Sequence, residues 1–319
     1  MDQRILGIHH VTAIANNAQR NLDFYTGVLG LRLVKLTVNF DDPTSYHLYY
    51  GDEKGSPGTL LTFFVWPDVP RGRRGTGQAI TVSFAVPESS TGYWIERFTA
   101  HNVEFTRPMR RFDDQVIPFR DPDGLMLELV ARPVSDLSAR AQKSAWTAPV
   151  PFAHAIRGLD GVTLCVESLT QTESLLVETM NFNPVRREEG IVRYEIGLKG
   201  FGTTIDVRCA PEIGRGLVAA GSIHHVAWRT SDEITQREWR QEIARRGLNV
   251  TPVMNRVYFR SIYFREPGGV LFEIATDGPG FTVDEPLERL GSELRLPPWL
   301  ESARDELERA LPPLRLPNV

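Results

Sequence analysis

Four times along the chain, an alternating apolar stretch gives way to a segment with its apolar residues on one helical face, followed by further alternating stretches. This order predicts four βαβββ units. In the first, residues 5–15 alternate, and Asn17 to Leu29 carries Leu22, Tyr25, Val28 and Leu29 on one face ahead of a C-capping Gly30. Strand-like runs follow at Leu33–Phe40, Tyr46–Tyr50 and Thr59–Val65. The second unit opens with Ala79–Val86, continues through a helix near Thr91–His101 with Trp94, Ile95 and Phe98 inward, and ends in Leu125–Val130. The third opens at Gly161–Val166, with a helix around Gln171–Met180. The fourth opens at Ile223–Thr230, with a helix carrying Trp239 and Ile243 before Arg246-Gly247.

An α+β fold follows, with two domains of two units each over residues 1–132 and 152–284. The polar, proline-flanked stretch 133–151 suits a linker, and 285–319 forms a tail whose Trp299 to Leu311 predicts one amphipathic helix. With 319 residues, 41% of them hydrophobic, the chain can bury a core in each domain. A net charge of −4 and short basic clusters exclude a nucleic-acid stripe. Leu60 to Trp66, the densest apolar run, is far too short to span a bilayer and reads as a buried strand. Cys165 and Cys209 lack zinc-site or CxxC spacing and read as core thiols; with no apolar leader at the N-terminus, a cytoplasmic setting is expected.

The chemistry is concentrated in two His-His pairs. Of seven histidines, four lie in Gly7-Ile8-His9-His10-Val11-Thr12 and Ser222-Ile223-His224-His225-Val226-Ala227, each at a unit's opening strand. Neutral imidazole is the commonest metal-binding side chain, so matched pairs in a repeat point to a shared metal site. Units two and four end alike, in Pro118-Phe119-Arg120-Asp121-Pro122-Asp123-Gly124 and Tyr263-Phe264-Arg265-Glu266-Pro267-Gly268-Gly269. The fourth residue beyond each final glycine is a carboxylate, Glu128 or Glu273. Unit two offers no histidine and unit three has Gly161 at the ligand position, so for Glu128 the sequence favours a solvated strand-end carboxylate. One complete site remains: His10, His225 and Glu273. In unit one the position matching Glu273 is read as Phe63, which withholds a fourth ligand. Two histidines and one carboxylate make the facial triad typical of non-haem Fe(II) that handles O2.

These segments resemble a known superfamily. HHVT, NLDFYTGVLGLRLV, the second His-His pair and PGGVLFE are similar to the vicinal oxygen chelate superfamily of glyoxalase, bleomycin-resistance and extradiol-dioxygenase folds. From Gly7 to about Phe281 the chain further resembles its hydroquinone-type ring-cleaving dioxygenases, including the chlorohydroquinone 1,2-dioxygenases; Tyr46-His47-Leu48-Tyr49, Pro57-Gly58-Thr59 and Gly278-Pro279-Gly280-Phe281-Thr282 carry this narrower match. The resemblance implies two vicinal-oxygen-chelate domains, Fe(II) held by His10, His225 and Glu273, and ring opening of a hydroquinone with O2.

Strand alternation places Thr12 on the face of His10, and His9 and His224 on the opposite face. The resemblance nevertheless sets both around the pocket. It also implies that Tyr263 hydrogen-bonds near the metal or substrate oxygen, that Arg256 stabilises anionic charge, and that His224 with Tyr263 moves protons. His47, His101 and His154 are read as structural. Expected partners are a small hydroquinone-class aromatic and O2, without nucleic acid or membrane, and homo-oligomerisation is left open. Two other classes share the fold: a metal-dependent glyoxalase-like isomerase or thiol transferase, and a metal-free drug-binding resistance protein.

Overall fold

The structure, a computed structural model, describes residues 5–133, 135, 146, 149–197 and 202–316. The first unit comprises β1 (Ile8–Ala15), α1 (Ala18–Leu22), β2 (Arg32–Asn39), β3 (Asp42–Gly51) and β4 (Leu60–Val65). The second has β5 (Gln78–Pro87), α2 (Thr91–Ala100), β6 (Met109–Arg111), β7 (Asp114–Arg120) and β8 (Met126–Arg132). The third has β9 (Gly158–Val166), α3 (Leu169–Ser174), β10 (Asn183–Glu188), β11 (Ile191–Glu195) and β12 (Thr204–Cys209). The fourth has β13 (Ile223–Thr230), α4 (Glu233–Arg245), β14 (Met254–Asn255), β15 (Arg260–Arg265) and β16 (Leu271–Thr276). α1 and α3 each run on into a π-helical turn, over Asp23–Val28 and Leu175–Thr179. Asn17 caps α1 through its side chain, and Gly30 takes the left-handed φ of +69° that lets the chain turn back after the helix.

Two eight-stranded sheets result, in the orders β14-β15-β16-β13-β1-β4-β3-β2 and β10-β11-β12-β9-β5-β8-β7-β6. Unit one therefore shares a sheet with unit four, and unit two with unit three. Each sheet is joined at its centre by an antiparallel pair of opening strands, β1 with β13 and β5 with β9. Most of the expected linker, 134, 136–145 and 147–148, lies outside the described residues. Trp94, Trp228 and Trp239 are fully buried in the main core, where α2 and α4 present their apolar faces to the sheets.

The tail departs from one helix over Trp299–Leu311: Trp299 is exposed, and α5 covers only Arg304–Ala310 after a 3-10 turn. Leu307 and Leu311 bury against the core, giving the tail its expected packing role. The tail is also tied to β2 by Lys35, wholly buried, whose ammonium reaches Asp284 at 2.6 Å and Glu285. Cys165 is buried as expected, but Cys209 is exposed at the outer end of β12. Among the described residues no helix is long and apolar enough to cross a membrane.

Candidate functional site

Strand register alone assembles the central cluster. Across β1 and β13, His10 faces Ala227 while Thr12 faces His225, and in parallel β16 Ala227 also faces Glu273. His10, Glu273 and His225 thus surround Ala227, whose methyl group leaves room between them. Their ligand atoms lie within 4.8 Å of one another. Glu273 Oε2 is 3.0 Å from His225 Nε2 and 3.4 Å from His10 Nε2, yet accepts no properly directed hydrogen bond from the described residues. Its other oxygen accepts from Ser261.

All three side chains are buried, Glu273 completely. Burial works against the Glu273 carboxylate, but the adjacent His10 and His225 hold its pKa well below the usual range. Burial holds His225 below the ordinary imidazole value, so this ring is neutral near pH 7. A buried carboxylate with an unsatisfied oxygen, facing imidazole nitrogens, is a donor set that a divalent cation fits.

The two His-His pairs are built alike. His9 Nδ1 lies 2.9 Å from His10 Nδ1, and His224 Nδ1 lies 2.8 Å from His225 Nδ1. Were the Nε2 atoms of His10 and His225 to hold a cation, their hydrogens would sit on Nδ1 and be donated to the partner rings, orienting both imidazoles. His9 is buried against the Phe259 ring, so it supports His10 from behind. His224 opens instead onto a separate recess of about 580 Å³ bounded by Trp66, Gln78 and Arg265. Burial lowers its pKa to about 3.

In front of the cluster lies a recess of about 310 Å³, lined by His10, His225, Arg256, Phe259 and Tyr263 and, from unit one, Asn39, Phe40, His47, Tyr49 and Phe64. Tyr263 is the cross-strand neighbour of Glu273, and its hydroxyl accepts from Arg256 Nε at 3.2 Å. The Arg256 guanidinium is further clamped by Asp41 at 2.9 and 3.1 Å. Burial raises the Tyr263 pKa, so its hydroxyl stays protonated. Thr12 is buried and does not line the recess; its hydroxyl meets Thr62 Oγ1 at 2.8 Å, and Thr62 continues to His47 Nε2 at 2.9 Å. Sequence reasoning treated His47 as structural and did not weigh Tyr49. The available signal was that residues 47 and 49 share one face of β3. His101 and His154 do lie away from the recess.

Two expectations from the repeat need correction. Gly58, Gly124, Gly202 and Gly269 all have φ between +65° and +100°, and the fourth residue after each is Thr62, Glu128, Asp206 or Glu273. Thr62 faces Thr12 just as Glu273 faces Ala227, so Thr62 and not Phe63 is the counterpart of Glu273. Phe63 points away, packed on Tyr25 at 4.6 Å. The Thr62 hydroxyl is committed to Thr12 and His47, so the position still withholds a carboxylate or imidazole. Glu128, expected in solvent, is buried. It is paired with Arg111 at 2.7 Å and Ser83 at 2.9 Å, and Arg111 also approaches Asp206 at 3.2 Å. In the second sheet a guanidinium thus neutralises the carboxylate positions that correspond to Glu273 and Thr62, while Thr81 and Gly161 stand where the first sheet has His225 and His10. Arg111 is largely buried there.

Comparison with known proteins agrees with this geometry. The family model described as "Glyoxalase/Bleomycin resistance protein/Dioxygenase superfamily" matches residues 7–129. The chain is 45% identical to the "Putative ring-cleaving dioxygenase MhqO" of Bacillus subtilis, covering 99% of both chains. It is 34% identical to the "Chlorohydroquinone/hydroquinone 1,2-dioxygenase" of Sphingobium indicum, covering 98% of this chain and 97% of that protein. A crystal structure described as that of a "putative dioxygenase from Bacillus subtilis subsp. subtilis str. 168" superposes with a TM-score of 0.93 at 44% identity, over 99% of each chain. Glyoxalase I from Zea mays shares the fold, with a TM-score of 0.61 at 15% identity over 85% of this chain and 92% of that one. Repeated βαβββ units, paired sheets and near full-length relatives lead to one conclusion: the chain belongs to the glyoxalase, bleomycin-resistance and dioxygenase superfamily.

Proposed function

We propose that the protein is an Fe(II)-dependent dioxygenase that opens a hydroquinone-type ring with O2, with His10, His225 and Glu273 as the metal ligands. One observation carries the reading: two histidine Nε2 atoms and an unsatisfied, fully buried carboxylate oxygen converge beside a recess walled by aromatic and polar side chains. The names of the full-length relatives favour ring cleavage over the other chemistries of the fold. When bound, Fe(II) supplies one-electron chemistry toward O2 and a Lewis-acidic seat for a substrate oxygen.

The remaining work falls to the chain. Phe40, Phe64 and Phe259 exclude water from the aromatic ring. Arg256, fixed by Asp41, stabilises negative charge on the substrate, and the protonated Tyr263 hydroxyl beside Glu273 donates to an oxygen at the metal end. His9 and His224 orient the ligand rings, each accepting the Nδ1 hydrogen of its neighbour. Thr12 acts through Thr62 and His47. A cytoplasmic enzyme acting on small aromatics without macromolecular partners fits this assignment.

Oxygen-electrode assays after anaerobic metal loading test the proposal. Fe(II) should support O2 uptake with hydroquinones, and zinc should not. Turnover with zinc in the absence of O2 would instead establish a glyoxalase-like isomerase.

A further inference from the structure

We infer that the Tyr49 hydroxyl, aimed by His47, receives the oxygen that lies across the ring from the metal-seated oxygen of a para-dihydroxyarene. The inference rests on the proposed function and adds a residue that selects the substrate.

The sheet register sets the distance. His225 faces Thr12, Thr12 faces Thr62, and Thr62 faces Tyr49, so these four side chains form one row on one face. β3 lies two strands from β1, about 10 Å at ordinary strand spacing, which puts Tyr49 on the wall opposite the ligand cluster. Tyr263 comes from β15, at the far end of the sheet order from β3, and neighbours Glu273 directly. A catechol can place both oxygens on a metal, whereas a hydroquinone's second oxygen is carried away from it and needs a protein partner.

Tyr49 is suited to that role. Its ring is held between His47, at 4.0 Å between centroids, and Phe281, at 5.2 Å. Its hydroxyl meets His47 Nδ1 at 2.9 Å, and the chain continues through His47 Nε2 to Thr62 and Thr12. A phenol can donate one hydrogen bond and accept others, so this contact, the single one the hydroxyl makes among the described residues, leaves capacity for a ligand. Both nitrogens of His47 are engaged by protein; His47 is therefore a positioning residue, and Tyr49 presents the free valence. Burial keeps Tyr49 protonated and His47 neutral. Because the ring of His47 can carry its hydrogen on either nitrogen, the Tyr49 hydroxyl can offer either its proton or its lone pair to the distal oxygen.

The test is anaerobic titration calorimetry of the Fe(II)-loaded enzyme with hydroquinone and with phenol, which lacks the distal oxygen. Tyr49→Phe should weaken hydroquinone binding about tenfold, equivalent to about 1.4 kcal/mol, and leave phenol binding within about twofold. His47→Gln should lower the same preference by a smaller factor, and serves if Tyr49→Phe does not fold. An unchanged hydroquinone-to-phenol ratio in the variant that folds, or equal weakening of both ligands, would overturn the inference. Oxygen uptake by the unmodified enzyme with hydroquinone separates the two levels: its absence refutes the proposed function, and its presence with an unchanged ratio refutes only the role of Tyr49.

Discussion

Removing the Arg111 guanidinium should destabilise the fold without touching the metal. Arg111→Met keeps an apolar stem of similar length but leaves Glu128, only 7% exposed, with Ser83 as its single hydrogen-bond partner among the described residues. Asp206 is less affected, because Arg193 grips it with two bonds of 2.7 and 2.9 Å. Breaking one side of a buried ion pair costs about 3–5 kcal/mol, mostly from stranding the remaining charge. Urea unfolding of metal-free protein at pH 7 reads this out, and adding Glu128→Gln to Arg111→Met should recover most of the loss. A deficit below about 0.5 kcal/mol, the range of ordinary surface substitutions, would refute the reasoning, as would a double variant no better than the single.

Other consequences can be checked separately. His10→Ala, His225→Ala and Glu273→Ala should each abolish metal retention and activity, while Glu128→Ala retains metal; elemental analysis after gel filtration decides. Ala227→Leu inserts three carbons between His10 and Glu273 and should cost about 1–3 kcal/mol through overpacking while preventing metal binding, measured by the same assay. Acid should weaken the metal-free protein early. The folded-state pKa of His224 is about 3, below the unfolded value of about 6.5, so its contribution is intact above pH 6.5 and is lost as pH falls between those values. His224→Gln should therefore flatten the loss of unfolding free energy over pH 6 to 4 by about 1 kcal/mol per pH unit.

Much of this organisation was legible in the sequence because periodicity and repetition carry it. The apolar alternation and helical faces marked all four units, and the matched His-His pairs with the glycine-to-carboxylate interval marked His10, His225 and Glu273. The interval also contained the answer for unit one, since the fourth residue after Gly58 is Thr62, a hydroxyl where the other three units carry a carboxylate. What the sequence did not disclose was which units share a sheet. Pairing of unit one with unit four is a long-range choice, and from it follow the placement of His47 and Tyr49 on the recess wall and the burial of Arg111 with Glu128 and Asp206. Charged residues from three separate strands meet there, and no local pattern announces their convergence.

The most direct measurement is the fate of oxygen in the product. Fe(II)-loaded protein incubated with hydroquinone under ¹⁸O₂ should consume one O2 for each ring opened and give an acyclic product whose mass shows both atoms of that O2 incorporated, allowing for exchange of an aldehyde oxygen with water. Conversion to benzoquinone without label, or turnover that continues under argon, would contradict the account.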